Sequence, residues 1–265
     1  MRKWTLGAAI AAALSTSTVA MADVGFIDGD TVTFSSPDYV GTFTYNGVEY
    51  GVGGSPIVNS FDVDDLDPGF TRIASQQTID GNTVNVAYRF YKQQYSTVVG
   101  NTTNAAGHNR QFVRDIVGDP TTSLPNNTTY NYSGVVFNHI DQYSTGGQTY
   151  DADGTLVYTI TVDGSGSATG SGSFTGVSGN RPVTGLFSVS GTLESTPVTT
   201  QADGRLGITG GDVTLDYTDA SGTTQYTDSS YDLGVYGPNA EEVAGGIYGG
   251  QLEAMVSGYG FAGVR

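Results

Sequence analysis

The sequence contains no cysteine, which excludes both a disulfide framework and a cysteine nucleophile. It contains only two histidines, which excludes a zinc site built from three imidazoles. Carboxylates are plentiful, but none stands in a context that indicates a glycosidase cleft. A G-x-S-x-G elbow between a strand and a helix would indicate a serine hydrolase, and the sequence has no such elbow. These absences predict that the protein is not an enzyme.

Positive charge is also scarce, with 10 Lys and Arg against 26 Asp and Glu and a formal net charge of −16. Nucleic acids and anionic membranes select basic surfaces, so neither is expected as a partner. The acidity favours solubility, as in a freely diffusing exported protein.

The only strong apolar run lies at the N-terminus. Arg2 and Lys3 precede the run Leu6–Leu14, and an A-x-A sequence ends at Ala22. This order is that of a secretory signal peptide, so we predict cleavage after Ala22 and secretion through the periplasm. The run falls short of the roughly 20 residues of a spanning helix, and no cysteine follows to accept a lipid, so we expect no membrane anchor. Loss of two cations would leave eight against 26 acids, a net charge of −18.

Glycine (39 residues) and tyrosine (17) are abundant instead, together with Ser, Thr and Val, which favours strands and tight turns. The composition shifts near Asn126–Thr129, so we predict one domain over residues 23–128 and a second over 129–265. Short strands and turns of the second domain predict an eight-stranded antiparallel up-and-down β-barrel. The predicted barrel strands are Tyr132–His139, Thr155–Asp163, Ala168–Gly176, Val183–Glu194, Arg205–Thr209, Val213–Thr218, Tyr231–Tyr236 and Gln251–Phe261.

The first domain is less regular. Thr42–Tyr45, Val48–Val52 and Thr83–Tyr91 are predicted strands, and Asn46-Gly47 has the residues of a tight hairpin turn. Asn101–Leu124 is predicted to be a long loop with one helical turn at Gln111–Val117. So long a loop in a compact domain is usually functional or poorly ordered.

Two segments resemble a known family. The sequence YGPNAEEVAGGIYGG, residues 236–250, resembles the last-hairpin signature of the C-terminal barrels of transferrin-binding protein B and its relatives, which include factor-H-binding proteins and hemophilin-type haemophores. YKQQYSTVVG, residues 91–100, resembles a strand pair of the N-terminal handle domain of that family. The resemblance implies an all-β fold, a handle-like domain followed by the eight-stranded barrel, and export by a Slam-type outer-membrane translocator. It says less about function, because these relatives bind unrelated ligands.

His108 is the main candidate for chemistry. It lies in the sequence AAGHNRQF, with Arg110 and Phe112 close behind. Imidazole is a common ligand of haem iron, aromatic side chains cover the macrocycle, and arginine pairs with propionates. The alternative is an exposed loop histidine without a ligand. The family resemblance favours haem b (iron protoporphyrin IX) bound at His108.

The second axial ligand is left open. His139, at the end of the first predicted barrel strand, is either a rim histidine satisfied by water or a carboxylate, or a second iron ligand. Otherwise Tyr95 or Tyr91, or an open sixth position, completes the coordination. The acidic sequence FDVDDLDPGF, Phe61–Phe70, could offer oxygen ligands to calcium, but a solvated loop is the preferred interpretation because the EF-hand glycine and glutamate are missing.

Together these patterns predict a secreted haem-binding protein, a haemophore that captures haem and passes it to a TonB-dependent outer-membrane receptor. The alternative is a host-protein-binding or host-colonisation factor like the transferrin- and factor-H-binding relatives. The missing lipid-accepting cysteine counts against the alternative, because such binders are normally tethered.

Overall fold

Strands dominate the computed structural model, which describes residues 24–105, 108, 111–138, 149–181, 185–251 and 258–265. The predicted signal peptide and its cleavage site lie outside the described residues. Within them, no helix is long and apolar enough to cross a membrane.

The first nine strands form what we call the N-terminal unit. A short 3-10 helix, Val63–Asp65, follows the fifth strand. The strands are β1 (Gly25–Asp28), β2 (Thr31–Thr33), β3 (Thr42–Tyr45), β4 (Val48–Gly51), β5 (Ser60–Asp62), β6 (Gly69–Ile79), β7 (Asn82–Lys92), β8 (Ser96–Thr103) and β9 (Val113–Gly118).

A five-stranded sheet with the order β1-β9-β8-β7-β6 is the main layer of this unit. One face packs against the small sheets β2–β5 and β3–β4, with Phe43, Phe61, Tyr88 and Phe90 at the centre of an aromatic cluster. The other face turns to the barrel. Because both faces of the sheet are covered, most consecutive residues of β7 and β8 are buried, and buried and exposed residues do not alternate.

The remaining strands form an antiparallel barrel. They are β10 (Thr128–Phe137), β11 (Thr149–Ala152), β12 (Gly154–Val162), β13 (Ala168–Arg181), β14 (Gly185–Thr200), β15 (Leu206–Asp219), β16 (Gly222–Tyr236), β17 (Glu242–Tyr248) and β18 (Tyr259–Val264). Eight of them close the cylinder, because β10 pairs with β12, each of β12–β17 pairs with the next strand, and β18 pairs back with β10. The short β11 pairs with the end of β13. The predicted fold class is thereby confirmed.

Alternation along the barrel strands fills the interior with side chains. In β12, Leu156, Tyr158, Ile160 and Val162 are buried in the lumen, whereas the intervening threonines and Val157 face outward. Tyr158 and Tyr231 meet across the lumen, with their hydroxyl oxygens 3.2 Å apart. The lumen is therefore a packed core.

Three barrel predictions need correction. Arg205–Thr209 and Val213–Thr218 are parts of one strand, β15, because Gly210-Gly211 makes a bulge and not a turn. Residues 242–248 form a strand, β17, that the sequence does not predict. The predicted last strand begins at Tyr259, and residues 252–257 lie outside the described residues.

The N-terminal unit also differs from its prediction. The predicted loop Asn101–Leu124 contains the end of β8 and the whole of β9, and the expected helical turn at Gln111–Val117 is mostly strand. The two hairpin strands at Thr42–Tyr45 and Val48–Gly51 are confirmed, with Asn46 and Gly47 at positive φ between them.

Candidate functional site

Glu242, in the segment that carries the family resemblance, joins the barrel to the N-terminal unit. Its side chain is buried, and its carboxylate accepts hydrogen bonds from the backbone N–H of Gln94 at 2.8 Å and of Tyr95 at 3.1 Å. The hydroxyl of Ser96 donates a third bond, at 2.8 Å. These residues follow β7 and lead into β8, so one barrel side chain caps a turn of the other unit. Burial raises the pKa of Glu242, and the donated bonds oppose the rise.

The adjacent Glu241 has a local role. Its carboxylate accepts bonds from the backbone N–H of Asn239 at 2.8 Å and from the Asn239 side-chain amide at 2.7 Å. These bonds lower the pKa of Glu241. They hold the turn between β16 and β17, in which Gly237 and Ala240 have positive φ. Glu241 therefore stabilises the hairpin, whereas Glu242 joins the two units.

Asp232 forms a second link that the sequence analysis missed. It is completely buried in β16 and accepts bonds from the backbone N–H of Val24 at 3.0 Å and of Gly210 at 2.7 Å, and from the Tyr248 hydroxyl at 2.8 Å. The available signal is an aspartate inside the otherwise apolar strand YDLGVY. A buried carboxylate needs such donors, so Asp232 fixes the start of the N-terminal unit against the barrel.

Glycines on the barrel wall allow the two units to approach closely. A Cβ at Gly246 would lie 2.9 Å from Val24 and 3.1 Å from Val113, and a Cβ at Gly260 would lie 3.2 Å from Val98. One face of the five-stranded sheet packs against this glycine-containing part of the barrel wall. The buried residues of this junction are Val24, Val98, Phe112, Val113, Ile116, Phe137, Tyr236, Ala244, Tyr248 and Ala262.

On the opposite face of the sheet, three side chains pin the segment Val40–Thr42 that leads into β3. Asn101 binds both the N–H and the C=O of the first residue, at 2.9 and 3.2 Å. The Tyr88 hydroxyl donates to the middle carbonyl at 2.8 Å. Gln77 accepts from the N–H of the last residue at 3.0 Å and donates to its carbonyl. The β3–β4 hairpin is thus held in a defined position on the sheet.

Of the predicted haem residues, the structure describes His108, Tyr95 and Phe112. His108 lies in a bend and is partly exposed. Tyr95 immediately precedes β8, whereas His108 follows its last residue by five positions. Phe112 is fully buried against Phe137, with ring centroids 6.0 Å apart, and it fills the junction instead of walling a pocket. The haem-binding roles of Tyr95 and Phe112 stay predictions. Arg110 and His139 lie outside the described residues.

A different arginine lies at this end of the junction. Arg89 of β7 is buried, its guanidinium carbon lies 5.3 Å from the Phe112 ring centroid, and Nη1 is 3.5 Å from Oδ1 of Asn138. Asn138 immediately precedes His139 in the sequence, and Phe112 follows His108 by four positions. The sequence signal for Arg89 is a cation within the apolar run VAYRFY.

The acidic cluster in the structure combines two residues of the segment Phe61–Phe70 with Asp30 from outside it. Carboxylate oxygens of Asp30, Asp62 and Asp64 lie within 4.8 Å of one another, and all three residues are exposed. The Lys92 ammonium lies 2.9 Å from Asp64, which neutralises part of this charge. A polar cavity of about 130 Å³ adjoins the cluster and extends to Tyr95. His108 does not line this cavity.

Comparison with known proteins agrees with the barrel fold. Residues 122–247, slightly less than half of the chain, match the family model described as "Factor H binding protein, C-terminal". The barrel is thus similar to that family. No curated protein matches the chain.

Two solved structures align with low similarity. A double mutant of transferrin binding protein B from Haemophilus parasuis Hp5 is 15% identical, with 75% of this chain and 37% of that chain covered and a TM-score of 0.35. Intact Ap-TbpB, with N and C lobes, is 14% identical, with 89% and 45% covered and a TM-score of 0.33. The chain therefore spans less than half the length of either structure.

Proposed function

We propose that this chain is a binding protein of the host-protein-binding or host-colonisation type, with no catalytic turnover. The observation that carries the proposal is the packed lumen of the barrel, in which Leu156, Tyr158 and Phe261 are buried. In the part of the barrel that the structure describes, side chains fill the lumen, so recognition is assigned to the outer surface and to the N-terminal unit. The similarity of residues 122–247 to a family named for factor H binding supports a binding role.

The N-terminal unit is the proposed recognition element, because one face of its main sheet is held against the barrel and its hairpins lie away from this junction. Val48 and Val58 are exposed at 40% and 37%, although valine is usually buried. Val157 on the barrel wall, exposed at 54%, offers a matched control surface.

Binding of purified factor H and of purified transferrin to the immobilised protein tests the proposal. Saturable binding of either protein is expected, weakened several-fold by the paired substitutions Val48→Ser and Val58→Ser and unchanged by Val157→Ser. Equal losses from the N-terminal and barrel variants would contradict the assignment to the N-terminal unit. A lack of saturable binding to these and to other serum proteins would contradict the function.

Haem capture is the second candidate, and the partly exposed position of His108 supports it. Bound haem would supply an iron centre that takes an axial nitrogen ligand. Titration with hemin should give a Soret band that shifts in the His108→Ala variant, and the spin state of the His139→Ala variant tests the second ligand. A hemin spectrum unchanged by His108→Ala would reject this candidate, whatever the result with serum proteins.

Secretion and delivery complete the proposal. The predicted signal peptide and the family resemblance support export by a Slam-type translocator, and a haem-loaded form would be received by a TonB-dependent receptor. Co-expression with such a translocator should move the protein into the culture medium. Retention in the periplasm with and without the translocator would contradict this route.

A further inference from the structure

The outer edge of β6 presents a row of backbone hydrogen-bonding groups. β6 and β7 are joined by a two-residue turn in which Asp80 and Gly81 have φ of 50° and 77°. Such a turn closes on a hydrogen-bonded pair, here Ile79 and Asn82. Bonded and non-bonded pairs alternate along an antiparallel ladder, so the odd-numbered residues of β6 bond to β7. The even-numbered residues direct their N–H and C=O groups outward. Among the described residues, no strand pairs with this edge.

This edge lacks the features that usually prevent edge-to-edge pairing. Proteins protect exposed edges with lysine, proline, bulges or short strands. β6 has eleven residues, contains neither lysine nor proline, and pairs with β7 without a register shift. β8 begins to pair with β7 only at Val86, so the end of the β6–β7 hairpin extends beyond the sheet as a two-stranded ribbon. A long edge with a regular register and largely exposed residues is suited to strand addition.

We propose that β6 pairs with β6 of a second copy of this chain, antiparallel and centred on Gln76. This register places even-numbered residues opposite even-numbered residues, as the outward backbone groups require. The facing pairs are Ile73 with Ile79, Ala74 with Thr78, and Ser75 with Gln77, and each pair recurs on the other side of the two-fold axis.

The match of these pairs selects the register. An isoleucine meets an isoleucine on the face that carries the aromatic cluster. Moving the centre to Ala74 would place Ile73 opposite Ser75, and it would lose this match. A centre at Thr78 would place Ile79 opposite Gln77 and would lose it as well.

Charge favours this strand over other surfaces for self-association. The chain carries a net charge of −16, so most faces of two copies repel each other. The segment Gly69–Ile79 contains one arginine and no acid. The paired stretch from Ile73 to Ile79 would be about 20 Å long and would join the two five-stranded sheets into one continuous sheet.

Sedimentation velocity of the exported chain tests the proposal. The wild-type protein should dimerise with increasing concentration. Gln76→Pro should weaken the dimer at least tenfold, because it removes an outward N–H without touching the bonds to β7. The matched variant Gln76→Ala keeps that N–H and should dimerise within twofold of wild type. Unchanged melting of the Gln76→Pro variant confirms that it is folded.

Cysteine cross-linking tests the register, because the chain has no cysteine of its own. In a Gln76→Cys variant the two Cα atoms would be about 5.5 Å apart, within the range of a disulfide. In a Thr78→Cys variant they would be about 13 Å apart, too far to bridge. Mild oxidation should therefore cross-link the first variant and not the second. A wild type that stays monomeric at the highest concentration, or equal cross-linking of the two variants, would overturn the proposal.

Discussion

Replacing Glu242 by alanine removes the carboxylate that caps the turn between β7 and β8. Three donors lose their partner, namely the N–H groups of Gln94 and Tyr95 and the hydroxyl of Ser96. An unsatisfied buried donor costs about 1–3 kcal/mol, but water can reach the half-exposed amides. We therefore expect a loss of about 2–4 kcal/mol in the free energy of unfolding. For a chain of this size that corresponds to a melting temperature lower by about 5–15 °C.

Glu242→Gln separates hydrogen bonding from charge. Its amide oxygen can still accept from both backbone N–H groups, and its amide nitrogen can donate to the Ser96 hydroxyl, so we expect a loss of only about 1 kcal/mol at neutral pH. Burial raises the pKa of Glu242 in the folded state. The contribution of such a carboxyl group to stability is complete at low pH and is lost as pH rises through the folded-state pKa. Glutamine does not titrate, so the stability gap between wild type and Glu242→Gln should widen as the pH is lowered.

Near-UV circular dichroism during denaturation is a suitable assay, because the predicted mature chain retains tyrosines but loses Trp4. Serial unfolding at several pH values gives the free energy of each protein. A gap that narrows on acidification would show that the donated bonds outweigh burial at Glu242. A loss below about 0.5 kcal/mol for Glu242→Ala would refute the reasoning, because that is the range of ordinary surface substitutions.

Two further substitutions test the contacts on either face of the sheet. Gly246→Val forces side-chain atoms against Val24 and Val113, and it should cost about 1–3 kcal/mol in chemical denaturation; an unchanged midpoint would argue against close packing there. Asn101→Asp keeps the shape but turns a buried carboxylate toward the carbonyl of Val40, so it should cost about 3 kcal/mol or more at neutral pH and recover on acidification; a pH-independent loss would contradict that explanation.

Alternating polar and apolar residues made most barrel strands predictable, and the exceptions have physical causes. The sequence of β17 resembles an acidic turn followed by small residues, so it does not predict a strand. Ala244 and Gly246 are small because the lumen covers one side of this strand and the N-terminal unit covers the other. At Gly211 a Cβ would lie 2.3 Å from the Tyr231 ring, so this glycine marks a close approach within a strand.

The N-terminal unit was less predictable for the same reason. In β9 the sequence VRDIVG has no period of two, because one face packs on the aromatic cluster and the other on the barrel. β6 is largely polar, because it is an edge strand with little burial. The residues of the junction could not be paired from the sequence, since Glu242 and the turn that donates hydrogen bonds to it lie 146–148 positions apart.

The chemistry of the junction indicates which parts of the chain can change independently. Glu242 recognises backbone N–H groups at Gln94 and Tyr95, and Asp232 recognises the backbone N–H of Val24. Main-chain donors are present whatever side chain the position carries, except for proline. The N-terminal unit can therefore exchange its exposed side chains, and with them its ligand, while the barrel continues to hold it in the same place. A barrel similar to that of factor H binding protein is for this reason compatible with either proposed ligand, and the hairpins and edge of the N-terminal unit decide between them.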